Sequence, residues 1–149
     1  MVDKIETLEQ VAGVLESQGY DARLVSGEAV MVDVGGSEHP FAAVVTKNDN
    51  GAEFVLTCQL ATLGDIEEDL SAQFMLAALD ANTAIRPFAF AVISDTDDPA
   101  LAEPEQWPVV LTSSIPVGDL SEGELCVAMD GLWSALTAAA PVLKLGITK

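Results

Sequence analysis

The sequence predicts an α+β domain in which three helices pack on a twisted, mainly antiparallel sheet of about five to six strands. Three observations support this class: a helical apolar period opens the chain, several short β-branched runs joined by tight turns follow, and a long apolar helical pattern closes it. Strands joined by short turns pair antiparallel, because parallel strands need a long crossover. The predicted order is α-β-β-β(β)-α-β-β-α, and residues 1–149 are predicted to form one domain.

The first helix is predicted over residues 3–18, where apolar residues recur every three or four positions. These residues are Ile5, Leu8, Val11, Ala12 and Leu15. Asp3 and Glu6 suit a capping box at its start, and Gly19 suits its C-terminal end.

Four β-strands are predicted next, over residues 22–26, 29–34, 41–47 and 53–60. Gly27-Glu28 and the stretch 48–51 supply residue types that tolerate tight turns. The second and third strands are apolar on both faces: Val30, Val32 and Val34 alternate with Met31, and Phe41, Ala43 and Val45 alternate with Ala42 and Val44. A sheet with one solvated face does not need this pattern, so it predicts a second apolar surface for a partner.

The second half of the chain predicts a helix opening at Asp65, strands over 88–93 and 107–117, and a last helix. Pro108 cannot donate to a strand ladder, which places it on an edge strand or at the first position of its own strand. Ser121 and Glu124 form a predicted capping box for the last helix, and Pro141 is predicted to bend or end that helix.

The charge balance is strongly acidic. The chain has 24 Asp and Glu against 6 Lys and Arg, a formal net charge of −18 and a pI near 4.1. Phosphate backbones and anionic membrane surfaces are repelled by such a chain, so neither nucleic acid nor membrane is predicted as a partner. Two interpretations stay open: the charge keeps an apolar domain soluble, or it attracts a basic segment of a partner.

No motif names a reaction. Neither a nucleophile elbow nor a Gly-rich phosphate loop is visible, and the single histidine, His39, has no second imidazole to work with. The acidic run 95–98 begins like a calcium loop but lacks the glycine and the bidentate glutamate at their positions. Cys58 and Cys126 are interpreted as buried hydrophobic residues, with a disulfide as the minor alternative. The sequence predicts no enzyme, no cofactor and no metal.

Neither a signal peptide nor a membrane-spanning run is apparent, since the first ten residues are polar and no apolar stretch is long enough. The cytoplasm is therefore the expected location.

Two segments carry a resemblance to a known family: LAALDANTAIRPFAFAV, residues 76–92, and SIPVGDLSEGEL, residues 114–125. With the element order, these segments resemble the YbjN-like family, which shares the fold of type III secretion chaperones. A fainter similarity is to YjfI-like small cytosolic proteins. The resemblance implies a cytosolic, often acidic, usually dimeric protein that binds other polypeptides without catalysis.

The resulting hypothesis is a non-catalytic, chaperone-like or regulatory homodimer that presents apolar surface to a partner polypeptide with basic or apolar segments. The partner is expected in a groove or as a strand added to the sheet edge. The predicted interface anchors are aromatic, because aromatic residues dominate such contacts. They are Phe88, Phe90, Trp107 and Trp133. The alternative is a small-molecule-binding domain or an enzyme that uses acidic residues of the loop 94–106. A third hypothesis, an anionic mimic of nucleic acid, is not favoured by the even scatter of the acids.

Overall fold

A computed structural model describes residues 5–34, 41–48, 51–94, 99, 103–117 and 121–146. The α-helices are α1 (Leu8–Ser17), α2 (Ser71–Ala81) and α3 (Glu122–Gly146). The strands are β1 (Asp21–Val25), β2 (Ala29–Val34), β3 (Phe41–Lys47), β4 (Glu53–Thr62), β5 (Ala89–Val92) and β6 (Pro108–Pro116). The predicted α+β class and element order are confirmed.

The six strands form one antiparallel sheet with the order β1-β2-β3-β4-β6-β5. Strands β1 and β5 are the outer strands, and β6 lies between β4 and β5. Pro108 is the first residue of β6, which is one of the two positions that its missing amide hydrogen predicts.

The chain divides into two compact units. The first contains Met1–Cys58 and Thr112–Trp133, and the second contains Gln59–Leu111 and Ser134–Lys149. That residues 1–149 form a single domain stays a prediction.

Helix α1 in the first unit begins later than its apolar period suggests. Thr7 is the N-cap: its hydroxyl accepts a hydrogen bond from the Gln10 amide at 3.2 Å, while the Gln10 side-chain oxygen accepts one from the Thr7 amide at 3.0 Å. This reciprocal pair satisfies two amides that a helix start leaves without partners. The predicted capping box at Asp3 and Glu6 is therefore wrong, and Asp3 itself lies outside the described residues.

A tight turn joins β1 to β2. Ser26 and Gly27 both have positive φ, 56° and 70°, and the Glu28 amide donates to the carbonyl of Val25 at 3.1 Å. Positive φ at both central residues is the geometry of a type I′ turn, whose twist matches that of the strands it joins. The turn brings Ala22 opposite Val32.

The sheet in the first unit buries one face under α1, which packs on β1, β2 and β3. Val30, Val32 and Ala43 on that face are fully buried. The other face carries Met31 and Val44, which are half-buried, and Ala42, which is exposed.

The second unit reaches α2 through two 3-10 turns, Leu63–Asp65 and Glu68–Leu70. The Asp65 carboxylate accepts hydrogen bonds from the amide of Thr62 at 3.0 Å and from its hydroxyl at 3.2 Å. Asp65 therefore closes the first 3-10 turn, and the prediction that it caps α2 is wrong. The core of this unit is apolar. It contains Ile66, Phe74, Ala78, Val109 and Val142.

Helix α3 begins after Ser121, whose hydroxyl accepts a hydrogen bond from the Glu124 amide at 3.1 Å. This is one half of the predicted capping box. The helix contains Pro141 and continues to Gly146, so the alternative that Pro141 ends the helix is wrong.

Among the described residues, α3 is the one helix long and apolar enough to span a membrane by length and composition. Core helices of globular proteins meet the same criterion, and Leu125, Met129 and Leu132 of α3 are buried within the protein.

Candidate functional site

Helix α2 leaves most of its large apolar side chains in solvent. Only Phe74 and Ala78 of its 11 residues are buried. Leu76 is 70% exposed, Leu79 is 66% exposed, and Met75 is also exposed. Residues three and four apart lie on one side of a helix, so Met75, Leu76 and Leu79 form a continuous apolar strip.

Strand β5 supplies the other wall of an apolar groove beside this strip. The ring of Phe90 packs edge to face on Phe74, with centroids 6.4 Å apart and planes at 82°. The groove has a volume of about 190 Å³. It is lined by Phe74, Met75, Ala78, Leu79, Phe90, Ala91, Val92 and Val109. Leu76, Ile93 and this groove together are called the α2–β5 surface below.

The α2–β5 surface is nearly free of charge. Asp80 is the one charged residue in α2, and β5 has none. The whole chain carries a net charge of −18, so carboxylates are scarce here against a strongly acidic background. Exposed apolar surface without charge is typical of a contact with another polypeptide.

The outer edge of β5 is partly occupied by α2. The amide of Phe90 donates a hydrogen bond of 2.7 Å to the side-chain oxygen of Asn82, the residue that follows α2. A partner strand would have to displace this bond to pair with β5 at Phe90, since an edge strand accepts a new strand through its unpaired amides and carbonyls. The geometry here favours packing on the groove over strand addition.

A second cavity, called the acidic cleft below, lies at the N-terminal end of α2 and has a volume of about 630 Å³. It is lined by Leu63, Gly64, Ile66, Glu67, Glu68, Ser71, Met75, Pro104 and Glu105. Gly64 brings the two 3-10 segments on either side of the cleft together: a Cβ atom at Gly64 would lie 3.0 Å from the carbonyl oxygen of Glu105. A side chain at this position would push the wall formed by Glu105 outward.

Neither cavity presents a metal centre: within the described ranges, no three His, Cys, Asp or Glu side chains are grouped so that they could hold an ion. Burial raises the pKa of the Cys58 thiol to about 11, which keeps it protonated at neutral pH and unsuited to nucleophilic attack. His39, residues 95–98 and residues 100–102 lie outside the described residues. The alternative of a site on the loop 94–106 stays a hypothesis.

The four predicted anchors occupy different environments. Phe88 is 1% exposed and belongs to the protein's own core, whereas Phe90 is half-buried in the groove. Trp107 is half-buried, and its carbonyl accepts a hydrogen bond from the Leu63 amide at 2.9 Å. Trp133 is 43% exposed on α3 and belongs to the first unit, while the other three belong to the second. Their role as partner anchors stays a prediction.

Sequence reasoning missed the two most exposed residues of the α2–β5 surface, Leu76 and Leu79. A signal was present, because residues 71–79 contain no charged side chain and both leucines lie off the apolar stripe that the helical period predicts. That stripe consists of Ile66, Leu70, Phe74, Ala77, Ala78 and Ala81. A strip of several apolar residues off the core stripe of an amphipathic helix indicates a second contact face.

Comparison with known proteins supports the fold. The chain is similar to a solved structure, the crystal structure of the ExsC–ExsE complex, with a TM-score of 0.57 and 13% sequence identity over 95% of this chain and 94% of that chain. No protein-family model matches the chain, and a search of curated proteins finds no match. A type III secretion chaperone-like fold, expected from the resemblance, is thus supported. The YbjN-like part of the resemblance has no further support.

Proposed function

We propose that this protein is a non-catalytic, cytoplasmic polypeptide-binding protein, chaperone-like or regulatory, that acts as a homodimer. The observation that carries the proposal is the exposed α2–β5 surface, to which the highly exposed Leu76 and Leu79 belong. The fold supports a binding role, because the similar solved structure is of a protein complex.

A second copy of the chain is the occupant that fits the α2–β5 surface best. Two chains of net charge −18 repel each other, so they can meet only where carboxylates are scarce. The α2–β5 surface has one charged residue in its two elements, Asp80. A basic partner would be attracted by acidic residues around the contact, so a surface without carboxylates offers it no advantage.

The energetics indicate how much of the surface must be covered. Fully burying one exposed leucine contributes about 1.5–3 kcal/mol, and association costs at least about 4 kcal/mol in lost freedom of motion. In a symmetric dimer both chains bury Leu76 and Leu79, and since each is already one third buried, the four side chains contribute about 4–8 kcal/mol, which lies within the range of about 4–15 kcal/mol for that cost. A stable dimer therefore requires the groove with Phe90 to be filled as well.

The polypeptide partner is proposed on two grounds. The similar structure is of a complex of two proteins, ExsC and ExsE, by its printed title. The acidic charge of this chain attracts segments rich in Lys and Arg at a distance. Together these grounds favour a partner with basic and apolar segments that is bound without being chemically changed.

Light scattering of purified protein tests the homodimer with two matched variants. Leu76 on α2 and Val127 on α3 are both 70% exposed, so Leu76→Glu and Val127→Glu add the same charge at equal exposure. We expect a dimer mass for the wild type and for Val127→Glu. Leu76→Glu places like charges at the interface and is expected to weaken the dimer roughly a hundredfold, giving a monomer at micromolar concentration.

A monomeric wild type across the accessible concentrations would contradict the homodimer. Equal disruption by Val127→Glu would place the interface elsewhere. Circular dichroism of each variant checks that the fold is retained, since substitutions at exposed positions change stability little.

A further inference from the structure

The groove of the α2–β5 surface has to be filled in a stable homodimer, and the most exposed side chain of that surface is Leu76. We propose that Leu76 of each chain inserts into the groove of the second copy, so that the two chains exchange this side chain across a two-fold axis. The inference rests on the proposed function, because it requires the homodimer, and it assigns the contact that fills the groove.

The groove has the size and the lining of a site for one apolar side chain. Its volume is about 190 Å³, and all of its lining residues are apolar. For comparison, truncating one buried leucine in another protein leaves a dry cavity of about 150 Å³, which takes up an apolar group as large as benzene. The groove therefore has room for one side chain of the size of leucine.

Leu76 is not used by its own chain. It is 70% exposed and does not line the groove, whereas Met75 and Leu79 of the same helix do. Leu76 lies about 200° around the helix from the buried Phe74, since each residue turns an α-helix by about 100°. Its side chain therefore projects away from its own core, where a second copy can receive it.

The symmetry of a homodimer makes the contact reciprocal. A two-fold interface joins the same patch of both chains, so a residue that enters a site on the partner has its own site entered in return. One insertion of Leu76 therefore implies a second, identical one, and both grooves are filled.

The distribution of charge also suits a second copy at this place. Two chains of net charge −18 approach each other most easily where carboxylates are scarce, and Asp80 is the one charged residue of α2 and β5. Asp80 lies one helical turn after Leu76 and is exposed, so it can stay in solvent at the rim of the contact while Leu76 is buried.

Disulfide crosslinking between two different variants of the full chain tests the inference. One carries Leu76→Cys and the other Val92→Cys, at a groove position that is 38% exposed; both carry Cys126→Ser, which leaves the fully buried Cys58 as the native cysteine. After mixing and mild oxidation with oxidised glutathione, we expect a disulfide between the two variants. Its yield should exceed that of the matched control, Val127→Cys mixed with Val92→Cys, by about tenfold, because a disulfide forms only where the two Cα atoms come within about 7 Å.

Complementation of side-chain size gives a second readout by light scattering. Leu76→Ala removes the inserted side chain, and Val92→Trp places an indole at the wall of the groove. Each variant alone is expected to dimerise about tenfold or more weakly than the wild type, because both contacts of the dimer are lost or obstructed. An equal mixture regains one contact, since Leu76 of the Val92→Trp chain meets the open groove of the Leu76→Ala chain. We expect a dimer mass for the mixture at a concentration where each variant alone is monomeric.

The outcomes separate this inference from the proposed function. If the wild type is a dimer but the mixed disulfide forms no faster than in the control, or the mixture of size variants stays monomeric, the insertion of Leu76 is overturned and the homodimer stands. A disulfide formed by Leu76→Cys alone, without the mixed product, would place Leu76 opposite its own copy on the two-fold axis and would also overturn it. A monomeric wild type removes the proposed homodimer together with the inserted side chain.

Discussion

Helices α1 and α2 have nearly the same length, 10 and 11 residues, and four large apolar residues each, but they divide these side chains differently between core and solvent. Helix α1 buries all of its large apolar residues. These are Leu8, Val11, Val14 and Leu15. Helix α2 buries Phe74 and exposes Met75, Leu76 and Leu79. The exposed side of α1 is polar, with Glu9, Glu16 and Ser17, whereas that of α2 is mostly apolar.

The difference shows that α1 has its large apolar side chains covered within one chain, whereas α2 does not. One amphipathic stripe is enough to hold a helix on its sheet, as α1 demonstrates. Helix α2 carries a second apolar strip that its own unit does not cover. Isolated exposed leucines are common on protein surfaces, but an exposed apolar strip that borders an apolar groove is not.

The largest expected effect is at the buried side of α2. Phe74→Ala removes a ring that is 1% exposed and that packs edge to face on Phe90. We expect the free energy of unfolding to fall by about 3–5 kcal/mol, because a large cavity is left in the core of the second unit. Urea denaturation followed by circular dichroism measures the change. A loss below about 1 kcal/mol would mean that α2 is not held by this core.

A matched pair of substitutions compares the two helices directly. Leu15 in α1 is fully buried and Leu79 in α2 is 66% exposed, so the same change to alanine tests the two environments. Leu15→Ala is expected to cost about 2–5 kcal/mol, and Leu79→Ala about 1 kcal/mol or less. Urea denaturation in the Leu76→Glu background, where the chain is expected to be monomeric, keeps dimer dissociation out of the measurement. Equal losses would show that Leu79 belongs to the core of its own chain.

The strands were largely predictable from local sequence. The bounds of β2 and β3 match the prediction, because each is a short run rich in apolar and β-branched residues with a turn signal beside it. The turn between β1 and β2 lies one residue earlier than predicted, with Ser26 and Gly27 at its centre instead of Gly27 and Glu28, and glycine takes the required positive φ at no steric cost.

The helix starts were less predictable, because several side chains near each start could act as caps. Asp3 with Glu6 and Thr7 with Gln10 have the same spacing, and the structure uses Thr7 with Gln10. Asp65 is a residue type that often caps helices. Its carboxylate instead accepts a hydrogen bond from the amide of Thr62, three residues before it, and closes a local turn. Local hydrogen bonds of Asp and Thr compete with helix capping, and a sequence pattern does not rank them.

The candidate site could be predicted only in part. The absence of charge in 71–79 is visible in the sequence, but the groove needs Phe90 and Val109, which reach Phe74 through the fold and not through any local spacing. The acidic cleft is further from prediction, since it joins Leu63 to Glu105 across more than 40 positions. Aromatic residues alone were an incomplete guide, because Phe88 is used to fill the core.

The smallest effect at neutral pH is expected at the buried sheet face of the first unit, which contrasts with the exposed α2–β5 surface. Cys58 lies on β4 opposite Ala43 and is fully buried. Its pKa is raised from 9.0 to about 11 by burial, so the thiol stays protonated in the folded protein at a pH where the unfolded chain already ionises. The resulting stability is fully present below pH 9 and is lost as the pH rises through about 11.

Urea denaturation at a series of alkaline pH values measures this loss, and Cys58→Ala is expected to reduce it. Tyr20→Phe is the necessary control, because burial first, and the charges of Asp130 and Cys126 after it, also raise the pKa of Tyr20 above 10.0. Its ionisation therefore lowers stability in the same alkaline range. Cys58→Ala could retain the full loss of unfolding free energy at alkaline pH while Tyr20→Phe removes it. The buried thiol would then contribute nothing to that loss, and the sheet face beneath α1 would be more accessible to solvent than its packing indicates.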